Sequence, residues 1–155
     1  MILSELLSRE SVLISLEAAS RDQAFGALVD ALPLPGCSDA DRAAIKSAVQ
    51  AREAAGPTGI GNGVAIPHAR TLLVPRALLA IARLARPLDM QAADGRPVTW
   101  IFLLAIPAAD PRSYLPVLAA LSRLASDEKL LRRLRQEASP GEVYELLAQF
   151  PLLER

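Results

Sequence analysis

The sequence offers few residues with which to do chemistry, and they cluster. His68 is the single histidine, and the stretch leading to it from Arg52 holds four of the eight glycines, with Arg70 just beyond. An imidazole can accept a group covalently when one ring nitrogen is unprotonated and in line with the donor. Amides of a glycine-rich turn can cradle an anion. A guanidinium at ~5 Å, with an effective dielectric of ~20, adds roughly 3 kcal/mol. That is about a hundredfold in rate if it acts only in the transition state. The expected chemistry is transient phosphorylation of His68. The candidate hydrogen-bond donors to the phosphoryl group are the amides of Gly59, Gly61 and Gly63, with Asn62 among them, and the Thr58 hydroxyl; Arg52 and Arg70 are the candidate cations. A backbone carbonyl or a carboxylate should bond the other ring nitrogen and fix the tautomer, and the sequence does not say which.

Each of these residues also has a plainer reading. His68 could be a surface or hydrogen-bonded structural histidine, and the glycines could serve only a hairpin turn. Arg52 could simply meet a helix C-terminus, Arg70 could be solvated, and Thr58 could brace a turn.

Other chemistries fail on the residues. A Gly-x-Gly-x-x-Gly fingerprint from Gly59 breaks at Val64, and a P-loop from Gly56 breaks at Asn62-Gly63. No Gly-x-Ser-x-Gly elbow occurs, and one histidine is too few for the usual catalytic zinc site. Cys37, the single cysteine, forms neither an internal disulfide nor a metal cluster. No cofactor and no metal is expected. Basic and acidic residues balance at 17 each, which argues against a nucleic-acid partner.

The elements that must position the cluster can be read in turn. A short helix is expected over residues 2–8 and a strand from Val12 to Leu16. Ser20 and Gln23 form a capping box that opens a helix carrying Phe25, Leu28 and Leu32 on one face. Ser38 to Asp41 opens the next, running to about Ala54 with Ala44, Ile45, Ala48 and Val49 buried. Asn62-Gly63 is a tight-turn signal, followed by a strand from Val64 to Ile66 that ends at Pro67-His68. Leu78 to Leu84 is a strand, Asp94-Gly95 a turn, and Val98 to Ile106 a strand covered on both faces. Helices are expected from Tyr114 to Ala125, from Glu128 to Gln136, and from Ser139, whose Glu142 completes a second capping box. The basic face with Lys129, Arg132, Arg133 and Arg135 is read as solvated, with a docking surface as its alternative. The order predicts an α/β fold, a mixed β-sheet flanked by helices on both faces, as a single domain over residues 1–155. Hydrophobic residues make up 52% of the chain but aromatics only 4%, so aliphatic side chains must fill the core. The N-terminus lacks a signal-peptide pattern, and the run from Trp100 to Pro107 is far short of the ~20 residues a spanning helix needs. A cytoplasmic protein without membrane insertion is expected.

The stretch from Arg52-Glu53 through Gly56-Pro-Thr-Gly-Ile-Gly-Asn-Gly-Val-Ala-Ile-Pro-His68 resembles the active-site signature of enzyme IIA domains of the fructose–mannitol type. These belong to the phosphoenolpyruvate-dependent phosphotransferase system and include a nitrogen-regulatory branch. Asp94-Gly-Arg-Pro-Val98 and Ser139-Pro-Gly-Glu142 extend the likeness over nearly the whole chain. The resemblance implies a phosphocarrier whose acceptor is His68, with Arg52 as the active-site arginine and an HPr-like phosphocarrier protein as donor. It implies onward transfer to a IIB domain in sugar-transporting members, and phosphorylation-dependent binding of regulatory target proteins in the nitrogen branch. A free-standing chain looks more like the regulatory branch; a pure interaction module that no longer transfers phosphate is the alternative outside the relay. Tyr114 stands where many members carry a second, supporting histidine, which places it among the phosphate-binding candidates. A phenol donates a neutral hydrogen bond but supplies no imidazolium charge. Ala69 and Pro57 are smaller departures, replacing a common Gly and a common Ser.

Overall fold

The computed structural model describes residues 3–137 and 139–151. Six strands form one sheet: β1 (Val12–Leu16), β2 (Gly59–Gly61), β3 (Val64–Ala65), β4 (His68–Thr71), β5 (Leu78–Leu88) and β6 (Val98–Pro107). The order is β1-β5-β6-β3-β2, with β4 pairing beside β6 farther along the same side as β3. β5 and β6 are antiparallel, while β1 on β5 and both β3 and β4 on β6 are parallel, so the sheet is mixed as expected. The α-helices are α1 (Arg21–Ala31), α2 (Asp39–Ala55), α3 (Leu115–Ala125), α4 (Glu128–Gln136) and α5 (Pro140–Ala148).

Side chains alternate across a pleated strand, so one sheet builds two cores. Val64, Ile66, Leu79, Ile81, Trp100, Phe102, Leu104 and Ile106 face α3, α4 and α5. Ala65, Ala69, Ala80, Ala82, Ile101, Leu103 and Ala105 face α1 and α2. The first face is bulky and the second is floored largely with alanine. β6 is buried along nearly its whole length, because helices cover it on both sides. Among the described residues no helix is long and apolar enough to cross a membrane.

Local signals account for most boundaries. Ser20 Oγ accepts from Gln23 N–H at 3.2 Å, although the Gln23 side chain reaches back to Ala19 N–H rather than to Ser20. Ser38 and Ser139 cap α2 and α5 in the same way. Three expectations need correction. The N-terminal segment is not one helix but two 3₁₀ turns, Leu3–Glu5 and Arg9–Ser11. Besides the local bonds of these turns, its backbone reaches distant partners, Leu3 N–H donating to Phe150 O and Leu6 O accepting from Leu79 N–H. On α2, Ala44 is exposed and Ala48 half-buried; the buried line is Ile45, Val49 and Glu53, spaced by four. Finally, the chain does not leave the sheet at His68. Pairing lapses after Ala65 and resumes there, and the Pro67 carbonyl, accepting from Leu104 N–H at 2.9 Å, keeps the backbone on track between the two halves.

Candidate functional site

His68 opens β4, the edge segment beside β6, and pairs with Leu104. The pleat sends His68 and Arg70 toward the α3 face and Ala69 toward α2. α2 packs over β4 from one side, and the start of α3 closes on it from the other. The result is a cleft of about 540 Å³ that wraps over the sheet edge, where Arg52, His68, Arg70, Tyr114 and Leu115 meet.

The ring of His68 is half-buried, and its Nδ1 lies 2.9 Å from the Ile66 carbonyl oxygen. A carbonyl can only accept, so the hydrogen in that bond sits on Nδ1 and the lone pair of the neutral ring on Nε2. Of the two possibilities the sequence leaves for fixing the tautomer, the structure has the backbone carbonyl. Among the described residues this is the only hydrogen bond the ring makes. Tyr114 lies nearly parallel to it, centroids 6.5 Å apart at 25°.

Two guanidinium groups reach the cleft. Arg52 Nη1 donates to Gly56 O at 2.9 Å, which meets a C-terminal carbonyl of α2 and leaves its other donors for a ligand. The plain reading of Arg52 as a helix-end contact is met, and the same side chain also lines the cleft. Arg70, read alternatively as solvated, is exposed and also donates from Nη2 to Tyr114 Oη at 3.2 Å, with its guanidinium carbon 5.5 Å from the ring centroid. Among the described residues that line the cleft there is no carboxylate.

The hairpin residues are placed otherwise. Asn62 and Gly63 adopt φ of 57° and 77°, the turn that the Asn-Gly pair signals. Asn62 N–H donates to Asp94 Oδ2 at 3.0 Å, and its side-chain amide donates to Ala125 O at 2.9 Å. Gly63 O accepts from both Thr99 and Trp100 N–H. Gly59 presses on Ala92, where a Cβ would come within 2.8 Å of the alanine methyl. Thr58 is buried, and both its N–H and its hydroxyl donate to the Glu53 carboxylate, at 3.2 and 2.6 Å. Thr58, Gly59, Gly61, Asn62 and Gly63 are all absent from the lining of the His68 cleft. In this structure these residues form a hairpin outside that lining, held to the body by the polar groups of Thr58 and Asn62.

Asp94 and Glu53 are what the sequence reading missed. The Asp94 carboxyl is held below its ordinary range, chiefly by the Arg96 N–H and then by the Asn62 N–H. Glu53 ties the end of α2 to the loop at Thr58, and a carboxylate in line with Ile45 and Val49 was its signal.

With the geometry in place, comparison with known proteins is informative. Residues 5–150 match the family model described as phosphoenolpyruvate-dependent sugar phosphotransferase system, EIIA 2. A nitrogen regulatory protein of Bradyrhizobium diazoefficiens is 34% identical over 152 residues, covering 97% of each chain. A fructose-specific EIIA component of Haloferax volcanii is 37% identical over 139 residues, 88% of this chain and 90% of that one. The crystal structure of nitrogen regulatory protein IIA-Ntr from Neisseria meningitidis superposes with a TM-score of 0.85 at 32% identity, covering 94% of this chain and 98% of the other. The chain therefore belongs to the type 2 EIIA family of the phosphoenolpyruvate-dependent sugar phosphotransferase system, whose members are phosphotransfer components of that relay.

Proposed function

We propose that the protein is a cytoplasmic phosphocarrier, acting as one domain, that takes a phosphoryl group on His68 Nε2 from a phosphorylated HPr-like donor. The observation that carries this is the Nδ1 bond to the Ile66 carbonyl, which turns the nucleophilic nitrogen loose in a cleft with two guanidinium groups. In the transfer a bond forms between Nε2 and phosphorus as the donor's N–P bond breaks, its electron pair returning to the donor ring. The accepting ring keeps its Nδ1 proton and becomes cationic, and the Ile66 carbonyl stands where that charge develops. Arg52 and Arg70 offset the negative charge of the arriving group. Exposed Leu72 and Leu115, 86% and 57% accessible, give a carrier protein apolar surface to meet beside the cleft.

Likeness to nitrogen regulatory proteins over nearly full length supports a regulatory output, in which the phosphorylation state of His68 decides which target proteins bind. The fructose-specific relative supports a second reading, passage of the group to a IIB domain. Incubation with a phosphorylated HPr-like donor is expected to add one phosphate (~80 Da), acid-labile as a P–N bond is. His68→Ala should take none. Equal labelling of the two would overturn the assignment. Adding a IIB domain to the labelled protein separates the two outputs: retention of the label supports the regulatory reading, and discharge supports the relay.

A further inference from the structure

We infer that Tyr114 is a positioning residue for the phosphoryl transfer, acting as a seat that holds the Arg70 guanidinium beside His68. This rests on the reading of His68 as the acceptor. Three observations meet at this one side chain. The Tyr114 hydroxyl accepts from Arg70 Nη2 at 3.2 Å, the guanidinium carbon lies 5.5 Å from the ring centroid, and the same ring lies nearly parallel to His68 at 6.5 Å. Arg70 sits on an edge segment and is exposed, so without a partner its long side chain would spread over many rotamers. A ring beneath the cation and a hydroxyl at its edge restrict it to the neighbourhood of the imidazole. The Tyr114 oxygen, having accepted from Arg70, keeps its own O–H for a second partner.

The same geometry answers a chemical need. A phenol brings no positive charge of its own, but one that holds an arginine delivers a permanent cation to the same place. Tyr114 then acts on the phosphoryl group through Arg70. Arg52 is pinned independently, to Gly56 O from the other side of the sheet edge, so the two cations are held by unrelated devices.

A double-mutant cycle tests the seat. With a phosphorylated HPr-like donor, Arg70→Gln is expected to slow labelling of His68 roughly tenfold. Tyr114→Phe, which keeps the ring and loses the hydroxyl, should slow it about threefold, and Tyr114→Leu about tenfold. In the Arg70→Gln background, Tyr114→Leu should change the rate by less than about twofold, because its partner is gone. Effects that multiply independently would overturn the proposal. A second measurement needs no phosphate: in NMR spectra of the unmodified protein, Arg70 Hδ and Hε resonances are expected to carry the ring-current shift of Tyr114. Tyr114→Leu should return them to solvated values, whereas Tyr114→Phe leaves most of the shift. Arg70 resonances that do not respond to Tyr114→Leu would overturn the seat even with labelling intact. If the wild type takes no label at all, the acceptor reading fails while the resonances still decide the seat.

Discussion

The two halves of the glycine-rich stretch behave in opposite ways. From Thr58 to Gly63 the polar groups described are bonded to the body of the protein, to Glu53, Asp94, Ala125 and the start of β6. From Ile66 to Arg70 one bond fixes the imidazole, and the rest of the reactive edge is turned to an open cleft. A cluster of glycines can therefore mark where backbone must pass close or turn sharply, while the proposed acceptor atom sits a few residues on, in a segment with no glycine. The first half is bonded into the scaffold, and the second carries the proposed acceptor.

The contrast predicts separable phenotypes. The largest effect is expected for His68→Gln: complete loss of labelling by a phosphorylated donor, with a melting temperature within a few degrees of wild type, since one hydrogen bond of about 1 kcal/mol is removed. A variant that both fails to label and unfolds would break the division of labour. Glu53→Ala is its mirror image. It leaves the buried N–H and hydroxyl of Thr58 unpaired, a cost of about 3 kcal/mol, and should lower the melting temperature by roughly 6–12 °C. It also loosens the loop to which Arg52 is tied, so a moderate fall in labelling rate accompanies the lost stability.

How far the sequence reveals this division follows from the range of each interaction. The Asn-Gly turn, the serine caps and the apolar run of β6 are local or compositional, and they are legible. His68, Arg52 and Arg70 stand out by type and spacing, and the cleft brings them together. The bond from Asn62 to Asp94 spans 32 residues and that from Arg70 to Tyr114 spans 44, and no local pattern announces either. The resumption of the strand at His68 is equally hidden, because proline before it reads as an end, and only β6 alongside shows that the edge continues.

Gly59→Ala comes next in size. Its methyl would meet Ala92 at 2.8 Å, with a cost of about 1–3 kcal/mol read by denaturant unfolding, and labelling of the folded fraction should stay near wild type. A large fall in labelling per folded molecule would mean that the hairpin takes part in the chemistry after all. The smallest effect is the pH dependence of Asp94→Asn. Because the folded-state carboxyl is held below its ordinary value, its contribution is full above that value and declines as pH falls through the depressed one. Wild type should be the more stable at pH 7, and the two unfolding curves should converge below about pH 4. A gap that persists into acid would show that the amides of Arg96 and Asn62 do not depend on the charge.

The alanine floor beneath α2 has a geometric corollary. Arg52 rides on that helix, His68 on the strand below, and methyl groups such as that of Ala69 set the depth of the layer between them. Thickening it with one bulky aliphatic chain would lift the helix and carry the guanidinium away from the imidazole. The reach of the charge is in this sense gauged by the smallest side chains in the sheet.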